Sequence, residues 1–423
     1  METRHSHAPK FLQESVKESN SILSKTNIEL TALSGSSGYG NAKPDMEVEI
    51  RSAQALDGSS LQLRGEIQVE GPEDAAYDGV LNFNGSAYSL IPQITIEYNG
   101  NPYLMLTQDA DYVASLHRKI HSSNTEYEND DVLSLANVNI NPATGSHSFV
   151  LDLAKYGSVL NYYLATSPVA SLKIRIHFQK NLARLFHGAE SAGKSVSGYK
   201  LNNVRVCGDF MSLSSNAEQI LLKQLQSAKG LHMLTHSYIP SRNTLLDSAG
   251  NHRIQGSYQY RNLVSVFYLP VPTSITPNAS GISTNDVIDI LQFQNEKYPK
   301  EFRVRMAGME YVNQNGPSGC SQKMEHLTGV LKACRETPAD TNVGYEICQG
   351  YKDETYQVLG ASFVRGNDNL VAITNSGANG YATRGILETE FATDDTQTNK
   401  TLLTVGVITT SVKVENGQVS VLK

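Results

Sequence analysis

The 423-residue chain contains no tryptophan, only four cysteines and little charge. Asp, Glu, Lys and Arg make up 18% of it, against about 25% in a typical soluble domain. No Arg-rich block occurs and the formal net charge is -7. That balance speaks against gripping nucleic acid through a cationic arm, a mode that needs many Lys or Arg to displace counterions. No run of about 18 apolar residues is present, so no membrane-spanning helix is predicted. The N-terminal METRHSHAPKF lacks the apolar stretch of a signal peptide. Cys207, Cys320, Cys334 and Cys348 include no CxxC pair. Too sparse for a disulfide framework, they read as free buried thiols in a protein assembled in a reducing compartment.

What the chain has instead is uncharged polarity. Hydrophobic residues account for 39% and there are 21 tyrosines, with Ser, Thr, Asn and Gln supplying the rest of the polar surface. Such side chains alternating with β-branched ones suit sheets whose outer faces meet water or neighbouring subunits. The length suits two domains of roughly 200 residues each.

Residues 1–45 are Ser- and Asn-rich and end in GSSGYGNAKPD, which reads as a flexible N-terminal arm. From Met46 the hydrophobic period becomes two. MEVEIRS and LQLRGEIQVE alternate as half-buried strands do, and QITIEY runs into Asn99-Gly100, a hairpin turn. DADYVASLHRKIHS predicts a short helix with Asp109 or Asp111 near its start, followed by an acidic loop, EYENDD. LKIRIHF is the clearest strand, with Leu172, Ile174, Ile176 and Phe178 on one face and Lys173, Arg175 and His177 on the other. YKLNNVRVCGDFMSLS closes this first domain at 215. A helix capped by Asn216 and ended by Gly230 connects it to the second domain, 231–423.

The second domain repeats the order. YQYRNLVSVFYLPVP is a strand whose Pro270 and Pro272 mark a sheet edge or exit; QKMEHLTGVLKACRE is a short helix, and Asn416-Gly417 is a hairpin turn. QITIEYNG pairs with FRVRMAG, SFVLDL with YQVLGASF and LKIRIHF with GILETEF, displaced by about 200 residues. Short strands with one interrupting helix and no βαβ alternation favour sandwiches over a parallel sheet.

Several motifs invite chemistry. Gly188-Ala-Glu-Ser-Ala-Gly193-Lys194-Ser195 spells a phosphate-binding loop, but that loop works at a helix N-terminus, and the residues after Ser195 read as a strand. His117 and His121 share a helix face, and His232 and His236 repeat the spacing; neither pair has the Glu of a zinc-protease motif, and surface positions beside Arg118 and Lys119 explain the first. Asp130-Asp131, Asp394-Asp395 and Glu73-Asp74 read as solvated loops. A glycosidase would need two carboxyls in one cleft, together with aromatic platforms. Asn84, Asn278 and Asn399 begin glycosylation sequons in form only. No residue is assigned a catalytic, cofactor-binding or metal-binding role.

GSAYSLIPQITIEYNGNPYL, YKLNNVRVCGDFMSLS with its connecting helix, and the course from ASFVRGNDNLVAITNSGANGYATRGILETEF to VKVENGQVSVLK resemble double jelly-roll major capsid proteins of DNA viruses. The nearest are those of polinton-like and adintovirus-like elements. The resemblance implies a mainly β chain of two tandem antiparallel eight-stranded jelly rolls with short connecting helices. It implies a structural protein, not an enzyme, that forms homotrimers tiling an icosahedral virion shell. Its partners would be itself, neighbouring capsomers and penton or minor capsid proteins. It implies no cofactor, and the loops 245–257, 312–322 and 364–383 would supply contact surfaces. Two other readings stay open: a tandem β-sandwich that binds a receptor or glycan, and a nucleotide hydrolase using Lys194.

Overall fold

The structure is a computed structural model, and the residues it describes are 22–51, 54–71, 79–157, 163–165, 171–188, 195–226, 231–245, 250–258, 263–272, 281–283, 293–294, 301–306, 308–315, 328–330, 347, 356–363, 386–393, 400–415 and 418–422. Eight strands organise the first half: β1 (Ile22–Thr31), β2 (Asp45–Ile50), β3 (Ala55–Glu70), β4 (Gln93–Tyr98), β5 (Asn101–Leu106), β6 (Ser146–Asp152), β7 (Leu172–His177) and β8 (Gly198–Leu213). They form two antiparallel sheets, β1-β8-β3-β6 and β2-β7-β4-β5. Eight more organise the second half: β9 (Leu231–Leu245), β10 (Gly250–Ser257), β11 (Leu263–Pro272), β12 (Glu301–Met306), β13 (Met309–Asn315), β14 (Leu359–Ser362), β15 (Ile386–Thr393) and β16 (Lys400–Glu415). Their sheets are β9-β16-β11-β14 and β10-β15-β12-β13. Within each half the order is first, eighth, third, sixth and second, seventh, fourth, fifth. That is the jelly roll, twice over.

Alternation fixes this register. Leu172, Ile174 and Ile176 of β7 stand opposite Ile50, Val48 and Met46 of β2 and opposite Tyr98, Ile96 and Ile94 of β4, and all nine are buried. A slip of one residue would turn Lys173 and Arg175 into the core. Asn99 and Gly100 close the β4–β5 hairpin with φ of 50° and 77°, the left-handed pair that a two-residue turn requires. The runs matched between halves occupy equal positions: β4 with β12, β6 with β14, β7 with β15.

The second half's β9-β16-β11-β14 sheet is buried on both faces, which explains the unbroken apolar runs in its strands. Val266, Tyr268, Leu402 and Ile408 face its own sandwich. Phe267, Leu269, Val271, Leu403, Val405 and Val407 instead join the cluster that fills the first half. Pro270 and Pro272 lie past Tyr268, where pairing with β14 ends.

Four expectations need correction. The arm, read as residues 1–45, is no arm over its described part: Ile22–Thr31 is β1 and pairs with β8 from Leu213 to Arg205. Its Ser, Asn and Glu side chains hid a polar edge strand. The acidic loop is a helix, Asn124–Leu133, begun by a capping box in which Ser123 and Glu126 each hydrogen-bond the other's backbone amide. The connecting helix starts at Ser215, and its cap is Ser214, whose hydroxyl accepts from the Ala217 amide. Part of two of the three contact loops is also strand, because 250–257 is β10 and 312–315 ends β13; 246–249, 316–322 and 364–383 lie outside the described residues.

Candidate functional site, the seam between the two halves

The helix α1 (Ala110–His121) follows β5 and is buried nearly all round, with Tyr112, Val113, Leu116 and Ile120 beside Asp111, His117, Arg118 and Lys119. It lies against β9, the first strand of the second half, and is tied to it at both ends.

At its N-terminus Asp109 takes a left-handed conformation (φ 56°). Its side chain makes no cap bond; the carboxylate points at two arginines instead. Arg242 of β9 donates through Nε to Oδ2 at 3.0 Å and through Nη2 to Oδ1 at 2.7 Å. Arg184 reaches the same Oδ1 at 2.9 Å and forks onto both oxygens of Asp111 at 2.7 and 2.5 Å. Arg184 belongs to a one-turn helix, Leu182–Leu185, capped by Asn181. The buried Asn84 amide donates to the carbonyls of Ala183 and Arg184 at 3.1 and 2.7 Å, fixing the turn that carries the guanidinium. That guanidinium also lies 4.7 Å from the centroid of the Tyr112 ring.

Burial alone would raise the Asp109 pKa, but hydrogen bonds from Arg242 and the charges of Arg184 and Arg242 hold it below its usual value. For Asp111 burial wins over Arg184, and its carboxyl is pushed up. Burial also raises the Tyr112 phenol, which keeps it neutral at ordinary pH.

At the other end of α1, His121 Nε2 lies 2.7 Å from the Tyr238 hydroxyl of β9. The His117 ring is 4.5 Å from that of His121 and meets Tyr238 edge-on at 5.3 Å. A third tie is made of backbone: Ser283 donates to the Phe186 carbonyl and accepts from the Gly188 amide, each at 3.0 Å.

The sequence-predicted candidates fall as follows. His117, Arg118 and Lys119 are buried, 4–5% exposed, not on the surface, because α1 is sandwiched between the first half and β9. Arg118 pairs with Asp130 and Asp131 and lies 4.0 Å from the Tyr127 ring centroid. The acidic pair is therefore the counter-charge to a buried arginine and no free solvated loop. His232 and His236 sit on a strand, where four residues span about 13 Å, too far to share a metal. Among the described residues no group of three His, Cys, Asp or Glu could hold one. Cys207 is a free, buried thiol; Cys320, Cys334 and Cys348 lie outside the described residues, as do Glu73-Asp74, Asp394-Asp395, Asn278 and Asn399. So does Lys194. Past Ser195 the chain enters β8, a strand of 16 residues, where a phosphate loop needs a helix.

Asp109 and Asp111 were read from the sequence only as residues at a helix start, and Arg184 and Arg242 were not singled out. One signal was there: Arg184 interrupts the apolar run LARLF, and an arginine so placed needs a buried partner.

Two jelly rolls in one chain, locked by an apolar sheet face and a buried ion network, define the class: a double jelly roll. No family model matches the sequence, and no curated protein matches it. Solved structures do. A chain of the PBCV-1 virus capsid superposes with a TM-score of 0.59 at 11% identity, over 95% of this chain and 96% of that one. The PBCV-1 protein fitted into the virophage Sputnik reconstruction gives 0.61 at 11%, over the same shares. The Faustovirus major capsid protein gives 0.55 at 10%, over 93% and 91%. At such identities the likeness is one of fold, and it runs the length of both rolls.

Proposed function

We propose that the chain is a viral major capsid protein, a structural subunit of an icosahedral virion shell. One observation carries this reading above the others: the same eight-strand order occurs twice in one chain, in a fold shared along its whole length with capsid proteins. The first roll runs from β1 to β8 and the second from β9 to the C-terminus, joined by the helix Ser215–Gln226. Three copies would place six rolls in a ring, a pseudo-hexagonal tile whose neighbours are other tiles and penton or minor capsid proteins. The seam supports such a role because a tile needs its two rolls at a fixed angle, and buried apolar faces are bistable or rigid, not continuously deformable. Within this reading the polinton-like and adintovirus-like lineage is the nearest source.

Negative-stain microscopy and light scattering of the purified protein test it. Trimers of hexagonal outline, or shells built from them, are the expected result. A monomer that forms neither at any concentration overturns it.

A further inference from the structure

The outer faces of the two four-stranded sheets β2-β7-β4-β5 and β10-β15-β12-β13 carry charge in inverted stripes. On the first, the central strand β7 is cationic and its neighbours are anionic. Lys173 pairs with Glu47 at 2.7 Å, and Arg175 pairs with Glu47 at 2.9 Å and also with Glu97. On the second, the central strand β15 is anionic and its neighbours cationic. Glu388 pairs with Arg253 at 3.1 Å, and Glu390 lies 3.7 Å from Arg253 and 4.0 Å from Arg305. The positions are equivalent in the two rolls, since Arg175 stands opposite Glu47 in one register and Glu390 opposite Arg253 in the other. The signs are reversed.

Paired charges within a sheet explain why each face stays solvated, and each such exposed pair contributes at most about 1 kcal/mol to the roll that holds it. They do not explain the inversion. Laid face to face, a minus-plus-minus pattern meets plus-minus-plus with every stripe opposed. Two like faces would set like charges against each other. A pattern of this kind selects a partner more than it adds affinity. The seam already uses the apolar sheet face, the kind of surface that obligate interfaces bury, whereas a charged, half-exposed face suits a weaker and reversible contact.

We propose that the β2-β7-β4 face of one copy docks on the β10-β15-β12 face of a second copy, as the contact between tiles and not the contact within a tile. The proposal rests on the capsid reading and names the surfaces that would join its units. The contact is heterologous, so it propagates from copy to copy as a lattice requires.

Inverting the charges named above tests it with the pairs between those residues kept and the net charge unchanged; in the second face the Arg305–Glu310 pair at 3.4 Å is given up. In one variant the first face is inverted (Glu47→Lys, Glu97→Lys, Lys173→Glu, Arg175→Glu). In a second variant the other face is inverted (Arg253→Glu, Arg305→Glu, Glu388→Lys, Glu390→Lys), and a third carries both sets. Sedimentation and negative-stain microscopy at low salt read the outcome. Either single inversion should leave discrete oligomers but reduce particles at least tenfold, and the double inversion should restore them. Wild-type particles should dissolve into the same oligomers between about 0.05 and about 0.5 M salt, as the screening length contracts. Particles from both single inversions at wild-type yield, or wild-type particles that persist at high salt, overturn the proposal and leave the capsid reading standing. A wild-type chain that makes neither oligomers nor particles overturns the capsid reading itself.

Discussion

Asp109 and Arg242 lie 133 residues apart in the chain, and two hydrogen bonds of 2.7 and 3.0 Å join them at the head of α1. One belongs to the first roll and the other to the first strand of the second, so the bond exists only when both rolls are folded and correctly placed. Arg184 completes the arrangement by bridging Asp109 to Asp111. With Asp109 only 2% exposed and Arg242 37%, the two partners differ in what their loss costs.

Asp109→Asn removes a buried charge that two guanidinium groups face, and breaking such a pair from one side costs about 3 kcal/mol. Arg242→Ala leaves Asp109 still paired with Arg184 and removes a partly solvated group, so about 1 kcal/mol is expected. Urea unfolding monitored by circular dichroism gives both values. An Arg242→Ala loss larger than that of Asp109→Asn would mean that the seam depends on Arg242 packing and not on the ion network.

The two carboxylates also set opposite pH responses. Asp109 has a depressed pKa in the fold, so its contribution is present above the ordinary Asp value of 3.8 and is lost as pH falls through the lower folded value. Asp111 has a raised pKa, so its contribution is present at low pH and is lost as pH rises from 3.8 through the higher folded value. Relative to wild type, Asp109→Asn should lose less stability on acidification and Asp111→Asn should lose more. Equilibrium unfolding from pH 6 downward, in steps of about half a unit, checks the pair of signs. Equal slopes in both variants would contradict them.

What the sequence made legible were elements whose own pattern decides their fate. Leu172 to Phe178, Ile94 and Ile96, and Phe302 to Met306 alternate because one face is core and the other water, and the structure places them where alternation says. β1 escaped because an edge strand needs few apolar residues when β8 supplies the pairing. The burial of His117, Arg118 and Lys119 escaped because it depends on β9, more than a hundred residues away in sequence, and on Asp130 and Asp131 as counter-charges. Long-range partners of this kind leave no local period to read.

The helix Asn124–Leu133 illustrates the same point in reverse: none of its residues is buried, and while Asp130 and Asp131 tie its far end to Arg118, its start rests on local bonds. Ser123→Ala removes the hydroxyl that caps the Glu126 amide and should cost the helix about 1 kcal/mol. The loss should be local. Hydrogen exchange of amides 124–133 should speed about fivefold, while the global unfolding midpoint moves little. Uniformly faster exchange across β4 and β7 would show instead that this helix unfolds with the roll.

Gly406 of β16 makes the last case, where the missing side chain is a matter of space alone. Its φ is not positive, yet a Cβ there would sit 2.5 Å from Cε1 and 2.9 Å from Cδ1 of Tyr258. The Tyr258 ring is fully buried and cannot swing clear, because its hydroxyl is held by Thr404 Oγ1 at 2.6 Å. Gly406→Ala should therefore cost about 1–3 kcal/mol, the range for overpacking a filled core. If the ring is the obstacle, the penalty must shrink once the ring is gone. In a Tyr258→Leu background the same substitution should cost less than in wild type, a coupling of about 1 kcal/mol in the double-mutant cycle. Strict additivity would place the strain in the β16 backbone and away from the ring.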